Sequence, residues 1–269
     1  MKITLKDGSV KEYDKAMSVY EIAQDLSEGL ARVACAGQVD GKVVDLRTVV
    51  DQDCSLNILT ASDPDGLRTI RHTCSHVMAE AVKRLFPEAK LAIGPAIDNG
   101  FYYDFDVEKP FTADELVKIE AEMKQIVKEG IPLEQFELPP AEALKKLEEM
   151  GEPYKVELCS EHAGKGEPIS FYKQGDFTDL CAGPHLMTTA PVKAFKLLSC
   201  TGAYWRGSEK NKMLSRIYGT AYPKAAELEA YLKQLEEAKL RDHNKLGREL
   251  ELFTTVDCIG QGLPILLPK

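Results

Sequence analysis

A short run of turn-forming residues, Asp63-Pro64-Asp65-Gly66, divides the chain into two segments with different apolar patterns. Before it, apolar and polar residues alternate over short stretches separated by the hairpin-forming pairs Asp7-Gly8 and Asp40-Gly41, which is typical of strands. After it, apolar residues recur every three or four positions, which is typical of an amphipathic helix. The sequence therefore predicts a linker at 63–66 between a β-rich unit and a unit that begins with a helix.

The first unit, residues 1–62, has the element order of a β-grasp fold. Two predicted strands flank Asp7-Gly8, and the capping-box pair Ser18 and Glu21 begins a short helix that ends at Leu26. Strands then flank Asp40-Gly41, and an apolar strand at 56–59 closes the unit. This ββαββ order in so short a segment is typical of a ubiquitin-like β-grasp.

The second unit, residues 63–223, is predicted to mix helices and strands. Its first helix spans about 67–86. The residues on the apolar face of that helix are Cys74, Val77, Met78, Ala81 and Leu85. Thr112 and Glu115 form a second capping box and begin another amphipathic helix. Glycine, proline and aromatic residues between 151 and 206 indicate further sheet, so the predicted fold class is α+β.

The remainder of the chain is predicted to leave this unit through a charged helix. From Ala225 the apolar residues return to helical spacing with many Glu and Lys between them, which predicts a linker helix over 224–242. The last ten residues, 260–269, are apolar and stop without a closing element. We therefore expect 243–269 to be the start of a third unit that has been cut.

Charge and cysteine content narrow the functional classes. The formal net charge of −9 disfavours nucleic-acid binding over the whole surface, so any such contact requires a local basic patch. Six cations stand against one acid in 193–216, although an ordinary solvated face around a hairpin explains them equally well. The seven scattered cysteines indicate reduced thiols in a cytoplasm, and no segment has the ~18–20 apolar residues of a membrane span.

Two pairs of residues with proton- or metal-binding side chains each have a spacing of four. His72 and His76 project from one face of the predicted helix, roughly opposite its apolar face, so we expect them to line a surface or a cleft. Cys181 and His185 flank a turn forced by Gly183-Pro184. The four side chains suit a tetrahedral Zn²⁺ and equally a metal-free acid–base and hydrogen-bonding cluster.

Several motifs, in order, resemble the threonyl-tRNA synthetase family. They are RHTCSHVMAEAVKRLFP, IGPAIDNGFYYDF, DLCAGPH and TGAYWRGSEKNKMLSRIYGTAYP. Together they look like the second additional domain shared by threonyl- and alanyl-tRNA synthetases, whose HxxxH and CxxxH motifs match His72, His76, Cys181 and His185. Residues 1–60 resemble the TGS domain of the same family, and RDHNKLGRELELF at 241–253 resembles the junction where its class II catalytic domain begins.

This resemblance implies a proofreading hydrolase that removes serine from mischarged threonine tRNA. Threonine and serine differ by one methyl group, which gives only about 1–3 kcal/mol of discrimination, so a second site that admits serine and excludes threonine is needed. Neutral imidazole suits water activation near pH 7, and His72 is the leading candidate. His76 and His185 would orient the water and the ribose, and Cys181 would contact the substrate without attacking it.

The resemblance also implies roles for four further residues. Lys155 would supply positive charge to the ester or the sugar, and Asp179 would hold the ammonium group or hydroxyl of the seryl moiety. Tyr103 would line the pocket, and Arg206 would bind substrate. Taken singly and without the resemblance, Lys155, Asp179 and Tyr103 are better explained as a surface salt bridge, a turn cap and a packed aromatic ring.

Cofactors and partners follow from the same resemblance. The threonyl branch indicates metal-free editing, whereas alanyl-tRNA editing relatives with this motif carry zinc, so zinc at the cluster stays open. ATP and the zinc of the synthetic site belong to a catalytic domain beyond Lys269, so aminoacylation is not expected from this chain. The expected partner is the acceptor end of threonine tRNA, and the full-length enzyme is expected to be a homodimer.

Other functions fit part of the pattern. A freestanding alanyl-tRNA editing hydrolase would share both motifs, although the β-grasp beginning and the 241–253 segment argue against it. A non-catalytic tRNA-binding module and a generic zinc hydrolase are the other two alternatives.

Overall fold

The computed structural model describes residues 1–164, 168–255 and 263–268. Two compact units divide the chain, Met1–Ala225 and Ala226–Lys269. The larger unit combines a β-grasp part with a larger part of mixed helices and sheets, so the fold class is α+β as predicted. None of the helices in the described ranges is long and apolar enough to cross a membrane.

The β-grasp part contains seven strands and two short helices. In chain order they are β1 (Lys2–Leu5), β2 (Val10–Glu12), β3 (Met17–Ser18), α1 (Val19–Leu26), α2 (Glu28–Val33), β4 (Ala34–Val39), β5 (Lys42–Val44), β6 (Val49–Val50) and β7 (Cys54–Thr60). Five strands form a sheet in the order β2-β1-β7-β4-β5, with β1 parallel to β7 and the other neighbours antiparallel. The remaining strands, β3 and β6, pair with each other.

Helix α1 covers one face of the five-stranded sheet. Its capping box forms as predicted, because the Ser18 hydroxyl accepts from the Glu21 amide while the Glu21 carboxylate accepts from the Ser18 amide. Val19 and Ile22 are fully buried and pack with the sheet residues of the same apolar cluster. The predicted β-grasp is confirmed, with α2 and the β3–β6 pair as additions.

The predicted linker at 63–66 is wrong, because α3 (Pro64–Leu85) begins there. Asp63 is the N-cap residue, and Pro64 occupies the first helical position, where its missing N–H costs nothing. The Asp63 carboxylate accepts from the Thr60 amide at 2.9 Å, which ties the end of β7 to the helix. Turn-forming residues that usually indicate a loop here begin a helix directly after a strand.

The α+β part of the larger unit contains two antiparallel sheets. Its further elements are β8 (Lys90–Leu91), β9 (Ala96–Ile97), β10 (Gly100–Asp106), α4 (Ala113–Glu129), β11 (Leu133–Leu138), α5 (Pro140–Glu149), α6 (Pro153–Ala163), β12 (Ile169–Gln174), β13 (Phe177–Leu180), β14 (Ala194–Tyr204) and β15 (Met213–Tyr222). One sheet has the order β14-β15-β10-β8 with β9 paired to β10, and the other has the order β11-β12-β13. The capping box at Thr112 and Glu115 begins α4 as predicted.

Helix α3 lies at the centre of this part and is enclosed on several faces. Its predicted apolar residues Cys74, Val77, Met78 and Ala81 are fully buried against α4 and the sheet that contains β10 and β15. Leu85 is the exception, at 40% exposed, because it is the last residue of the helix. The polar residues Thr69, Thr73, His76 and Glu80 are buried as well. The helix therefore carries buried polar groups that must find partners on neighbouring elements.

The smaller unit has four described elements: α7 (Ala225–Leu240), which starts at the last residue of the larger unit, α8 (His243–Glu249), β16 (Phe253–Thr255) and β17 (Pro264–Leu266). A helix stands where a charged linker helix was predicted, and none of its residues is buried. Six of the seven cysteines are described, and those six are free thiols. Cys258 and part of the apolar end at 260–269 lie outside the described residues.

Candidate functional site

Four side chains from two distant segments meet in one cluster. Helix α3 supplies His72 and His76, and the segment that follows β13 supplies Cys181 and His185. Their ligand atoms all lie within 4.8 Å of one another. The Cys181 sulfur lies 3.3 Å from His72 Nε2 and 3.2 Å from His185 Nε2. The structure thus brings together the four residues that the sequence analysis selected.

The two histidines of α3 differ in exposure. His72 is half-buried, whereas His76 is only 3% exposed. The side chain of Phe177 meets the His76 ring edge to face at 6.4 Å between centroids, and His185 lies against both histidine rings. The expectation that both rings line a surface or cleft is therefore correct for His72 and wrong for His76, because the chain from β13 onwards covers that face of the helix.

Lys155 and Asp179 form a buried ion pair beside the cluster. The Lys155 ammonium lies 2.6 Å from Asp179 Oδ1, and the two side chains are 5% and 1% exposed. The Tyr103 hydroxyl donates to Asp179 Oδ2 at 2.6 Å, and His76 Nε2 lies 3.6 Å from the same oxygen. Burial raises the pKa of the Asp179 carboxyl, but the Lys155 charge, His76 and the hydrogen bonds from Lys155 and Tyr103 together outweigh it, so the pKa lies below its ordinary value. Because both side chains are buried and paired with each other, Lys155 is not part of a surface salt bridge and Asp179 is not an isolated turn cap.

Burial fixes the protonation states of the cluster at neutral pH. It lowers the pKa of His72 to about 4 and that of His76 to about 3, and it lowers the pKa of His185 well below its ordinary value. The same burial raises the pKa of the Cys181 thiol to about 12. The site therefore presents neutral imidazoles and a protonated thiol, which can accept and donate protons. A thiolate nucleophile is not formed under these conditions.

The donor set of the same four residues suits a zinc ion, although their ligand atoms are spread over as much as 4.8 Å. Zinc bonds of about 2.0–2.3 Å to nitrogen and sulfur place tetrahedral ligand atoms roughly 3.3–3.7 Å apart. The 3.3 Å and 3.2 Å separations from Cys181 Sγ to His72 and His185 are close to that spacing. Three neutral imidazoles and a cysteine thiolate, which forms when the metal displaces the Cys181 proton, are also donor types that zinc prefers.

An open cavity of about 340 Å³ leads to His72. It is lined by Val43, Asp65, Arg68, Thr69, His72, Pro95, Ala96, Gly183 and Pro184. Among the four cluster residues, His72 is the one that lines it. Arg68 lies one helical turn before His72 and is exposed at this cavity. Arg68 was not among the predicted site residues, although its spacing of four from His72 on the same helix is visible in the sequence.

Arg206 and several other cations of the 193–216 segment are paired with carboxylates. Arg206 pairs with Glu157 at 3.0 Å and with Glu161, both on α6, and its described contacts do not include the cluster. Other cations of 193–216 are also paired with carboxylates: Lys196 with Glu120, Lys212 with Asp106 and Arg216 with Asp104. These contacts favour the interpretation of the 193–216 segment as an ordinary solvated face around a hairpin.

One contact from the β-grasp part was not predicted. The Asp45 carboxylate accepts from the backbone amide of His185 at 3.0 Å. Asp45 lies between β5 and β6, 140 positions before its partner. No local sequence pattern signals a hydrogen bond over that separation.

Comparison with known proteins finds a family match in each of the two parts of the larger unit. A family model described as "TGS domain" matches residues 1–60. A second, described as "Threonyl and Alanyl tRNA synthetase second additional domain", matches residues 169–218, which include Asp179, Cys181 and His185.

Curated relatives match the whole chain. A threonine–tRNA ligase of Clostridium perfringens is 63% identical over all 269 residues, one of Acetivibrio thermocellus is 61% identical, and one of Clostridioides difficile is 56% identical. The chain spans 41–42% of the length of these relatives. It therefore contains a TGS domain and a second additional domain of the threonyl- and alanyl-tRNA synthetase type, and along its whole length it matches the N-terminal part of bacterial threonine–tRNA ligases.

Proposed function

We propose that this chain hydrolyses the seryl ester of mischarged threonine tRNA, as the proofreading part of a threonine–tRNA ligase. The observation that carries the proposal is a neutral cluster of three imidazoles and a thiol beside a buried ion pair, with His72 at the end of an open cavity. The similarity to threonine–tRNA ligases supports the choice of tRNA. Cleavage of an ester needs a proton acceptor, a donor for the leaving group and stabilisation of an oxyanion, and the cluster offers all three.

His72 is the proton acceptor in this proposal. Its Nδ1 lies 3.3 Å from the Pro184 carbonyl, so Nδ1–H donates there and Nε2 keeps its lone pair. Nε2 takes a proton from water as the water oxygen attacks the ester carbonyl carbon. The resulting tetrahedral intermediate collapses, the bond to the ribose oxygen breaks, and the imidazolium returns its proton to that oxygen. The products are serine and free tRNA.

The ion pair beside the cluster supplies charge and selectivity. Lys155 directs a positive charge toward the site while remaining fixed by Asp179, which stabilises the developing oxyanion without reorganisation. Asp179 is 1% exposed and both its carboxylate oxygens are engaged, so it acts on the seryl moiety through Lys155 and not by binding the ammonium group. Tyr103 is fully buried and hydrogen-bonded to Asp179, so it holds the ion pair rigidly from behind and does not line the cavity. A rigidly held ion pair does not move to make room for the additional methyl group of threonine, which gives the required preference for serine.

A bound zinc ion would be held by His72, His76, Cys181 and His185. Zinc in such a site supplies Lewis-acid polarisation of a carbonyl and lowers the pKa of water. Metal content of the purified chain, compared with the rate before and after treatment with a chelator, distinguishes a metal-dependent site from a metal-free one.

Comparison of two esters tests the proposed function. We expect the chain to release serine from seryl threonine tRNA much faster than it releases threonine from the correctly charged tRNA. His72→Ala should lower the rate on the seryl ester by about 10²–10⁴-fold, the usual contribution of a general base. His162→Ala is the matched control, because His162 is exposed on α6 and bonds its own helix at the Leu158 carbonyl.

Three results would contradict the proposal. Equal rates on both esters would remove the proofreading role. An unchanged rate in His72→Ala would favour a tRNA-binding module without its own chemistry. Faster hydrolysis of seryl alanine tRNA than of seryl threonine tRNA would favour an alanyl-tRNA editing function.

A further inference from the structure

The Asp45 carboxylate of the β-grasp part is saturated by hydrogen bonds from both parts of the larger unit. Oδ2 accepts from the His185 amide at 3.0 Å and from the Tyr172 hydroxyl at 2.8 Å, both in the α+β part. Oδ1 accepts from the amide and the guanidinium of Arg47 at 2.9 Å and 2.8 Å. The residue is 5% exposed. A buried carboxylate with four donors is rigidly held, and it holds its donors equally firmly.

Arg47 extends the contact along the chain after the cluster. Its Nη2 donates to the Leu186 carbonyl at 3.0 Å and also to the Leu133 carbonyl, and it lies 3.4 Å from the Met187 carbonyl. Nη1 lies 3.5 Å from the His185 carbonyl. The planar guanidinium thus faces three successive carbonyls, a geometry that the point charge of a lysine does not reproduce. The main chain at 185–187 is held at an amide by Asp45 and at its carbonyls by Arg47.

The side chain of His185 is held between this contact and α3. The Tyr172 ring meets the His185 ring edge to face at 4.4 Å between centroids. On the other side, Thr73 Oγ1 lies 3.3 Å from His185 Nδ1 and accepts from the Leu186 amide at 3.0 Å. Because the Thr73 hydroxyl donates to the Thr69 carbonyl, its oxygen accepts from Nδ1–H. His185 Nε2 is therefore the acceptor that faces Cys181.

The turn before His185 is fitted to the same tyrosine. Gly183 has a φ of 70°, and a Cβ at this position would overlap the Tyr172 hydroxyl. The hydroxyl that donates to Asp45 therefore also limits the position of the turn between Cys181 and His185. Displacement of Asp45 would free the Tyr172 hydroxyl, which lies against Gly183, and would also remove the hydrogen bond to the His185 amide.

We propose that Asp45 and Arg47, two residues of the β-grasp part, are positioning residues for hydrolysis: they fix the main chain at 185–187 and thereby the His185 imidazole. The inference rests on the proposed function and deepens it. Neither residue touches the reacting atoms, so their loss should change the rate of the chemical step more than the binding of tRNA. Misplacement of a reacting group by about 1 Å costs on the order of 10²-fold in rate.

Asp45→Asn is the first test, because it keeps the volume and replaces one acceptor oxygen by an NH₂ group. On seryl threonine tRNA we expect kcat to fall by about 10- to 100-fold, with KM changed by less than about threefold. Exchange of the His185 backbone amide, followed by NMR, should accelerate by at least about tenfold, because its acceptor is weakened. Asp40→Asn is the matched control, since Asp40 bonds only Ser55 among its described partners, at 2.8 Å and 3.0 Å within the β-grasp part.

Arg47→Lys is the second test. If Asp45→Asn does not fold, this variant alone tests whether the contact positions His185. It keeps the positive charge and removes the fork that faces the carbonyls, so we expect the same loss in kcat with little change in KM. Wild-type values of kcat and of His185 amide exchange in a folded Asp45→Asn would overturn the inference, as would a wild-type kcat in Arg47→Lys if Asp45→Asn does not fold. Failure of the wild-type chain to hydrolyse the ester would instead overturn the proposed function, and the amide exchange alone would then test the positioning.

Discussion

Lys155 and Asp179 show how a buried charge constrains single residues of this chain. Their ammonium and carboxylate are 2.6 Å apart, and each has almost no contact with solvent. Transfer of a charge out of water is costly, and only its partner compensates that cost. The two charges are tolerated inside the fold only together, and a variant that lacks one of them keeps the other buried and unpaired, which destabilises the fold. For this reason, loss of activity in a Lys155 or Asp179 variant needs a stability measurement beside it.

Lys155→Met is expected to lower the free energy of unfolding by about 3–5 kcal/mol, because it leaves the Asp179 carboxylate buried and unpaired. Urea denaturation followed by circular dichroism measures this change. Lys145→Met is the control: that lysine lies 3.9 Å from Glu149 on α5, and both side chains are largely exposed. Similar losses in the two variants would contradict the importance of burial.

At the scale of single elements, α4 is joined to the edge of a sheet by Glu120. The carboxylate accepts from Lys124 of its own helix at 2.8 Å, and from Lys196 at 2.9 Å and the Leu197 amide at 3.2 Å on β14. Burial raises the pKa of Glu120, but these hydrogen bonds and charges outweigh it, so the pKa lies below its ordinary value. The ionised carboxylate therefore stabilises the packing of α4 on β14.

Glu120→Gln is expected to destabilise the chain at neutral pH and to have a decreasing effect in acid. A carboxyl whose pKa is lower in the folded state contributes stability above its unfolded pKa, near 4.3, and loses it as the pH falls through the folded pKa. The difference in urea midpoint between wild type and variant should therefore shrink below about pH 4. A difference that is constant from pH 7 to pH 3 would show that the charge of Glu120 contributes nothing.

Local sequence patterns predicted most helices and strands, but they did not predict contacts between residues that are far apart in the chain. The capping boxes at Ser18 and Thr112 mark helix starts because all their hydrogen bonds lie within four residues. The 63–66 segment misled because Pro64 suits a loop and the first helical position equally. The two halves of the cluster were each visible as pairs with a spacing of four. Asp45, in contrast, is 140 positions before its partner His185 in the sequence, so only the folded structure shows their hydrogen bond.

At the scale of the whole molecule, the two parts of the larger unit share contacts in both polar and apolar regions. Cys35 of β4 is 4% exposed and belongs to the same apolar cluster as Ile70 and Cys74 of α3. The Asp63 carboxylate joins the last strand of the β-grasp part to that helix. We therefore expect Met1–Ala225 to unfold as one cooperative unit.

Ile3→Ala tests this cooperativity with the one tryptophan of the chain as a reporter. Ile3 is fully buried in the β-grasp sheet, and its truncation should cost about 2–5 kcal/mol. Trp205 lies in the α+β part, where it donates to Glu157 at 3.0 Å. A cooperative unit requires the urea midpoint seen by Trp205 fluorescence to fall with that seen by circular dichroism. An unchanged Trp205 midpoint would mean that the two parts unfold separately.

The Asp45–Arg47 contact limits which other β-grasp domains could replace the β-grasp part of this chain. A foreign β-grasp domain grafted onto 63–225 would have to bring a carboxylate and a guanidinium at the same two loop positions, or the grafted chain would lose the hydrogen bonds at 185–187. The two parts are thus not interchangeable modules. Substitutions at Asp45 and at Tyr172 should therefore be accommodated together, although the two residues lie in different parts of the larger unit.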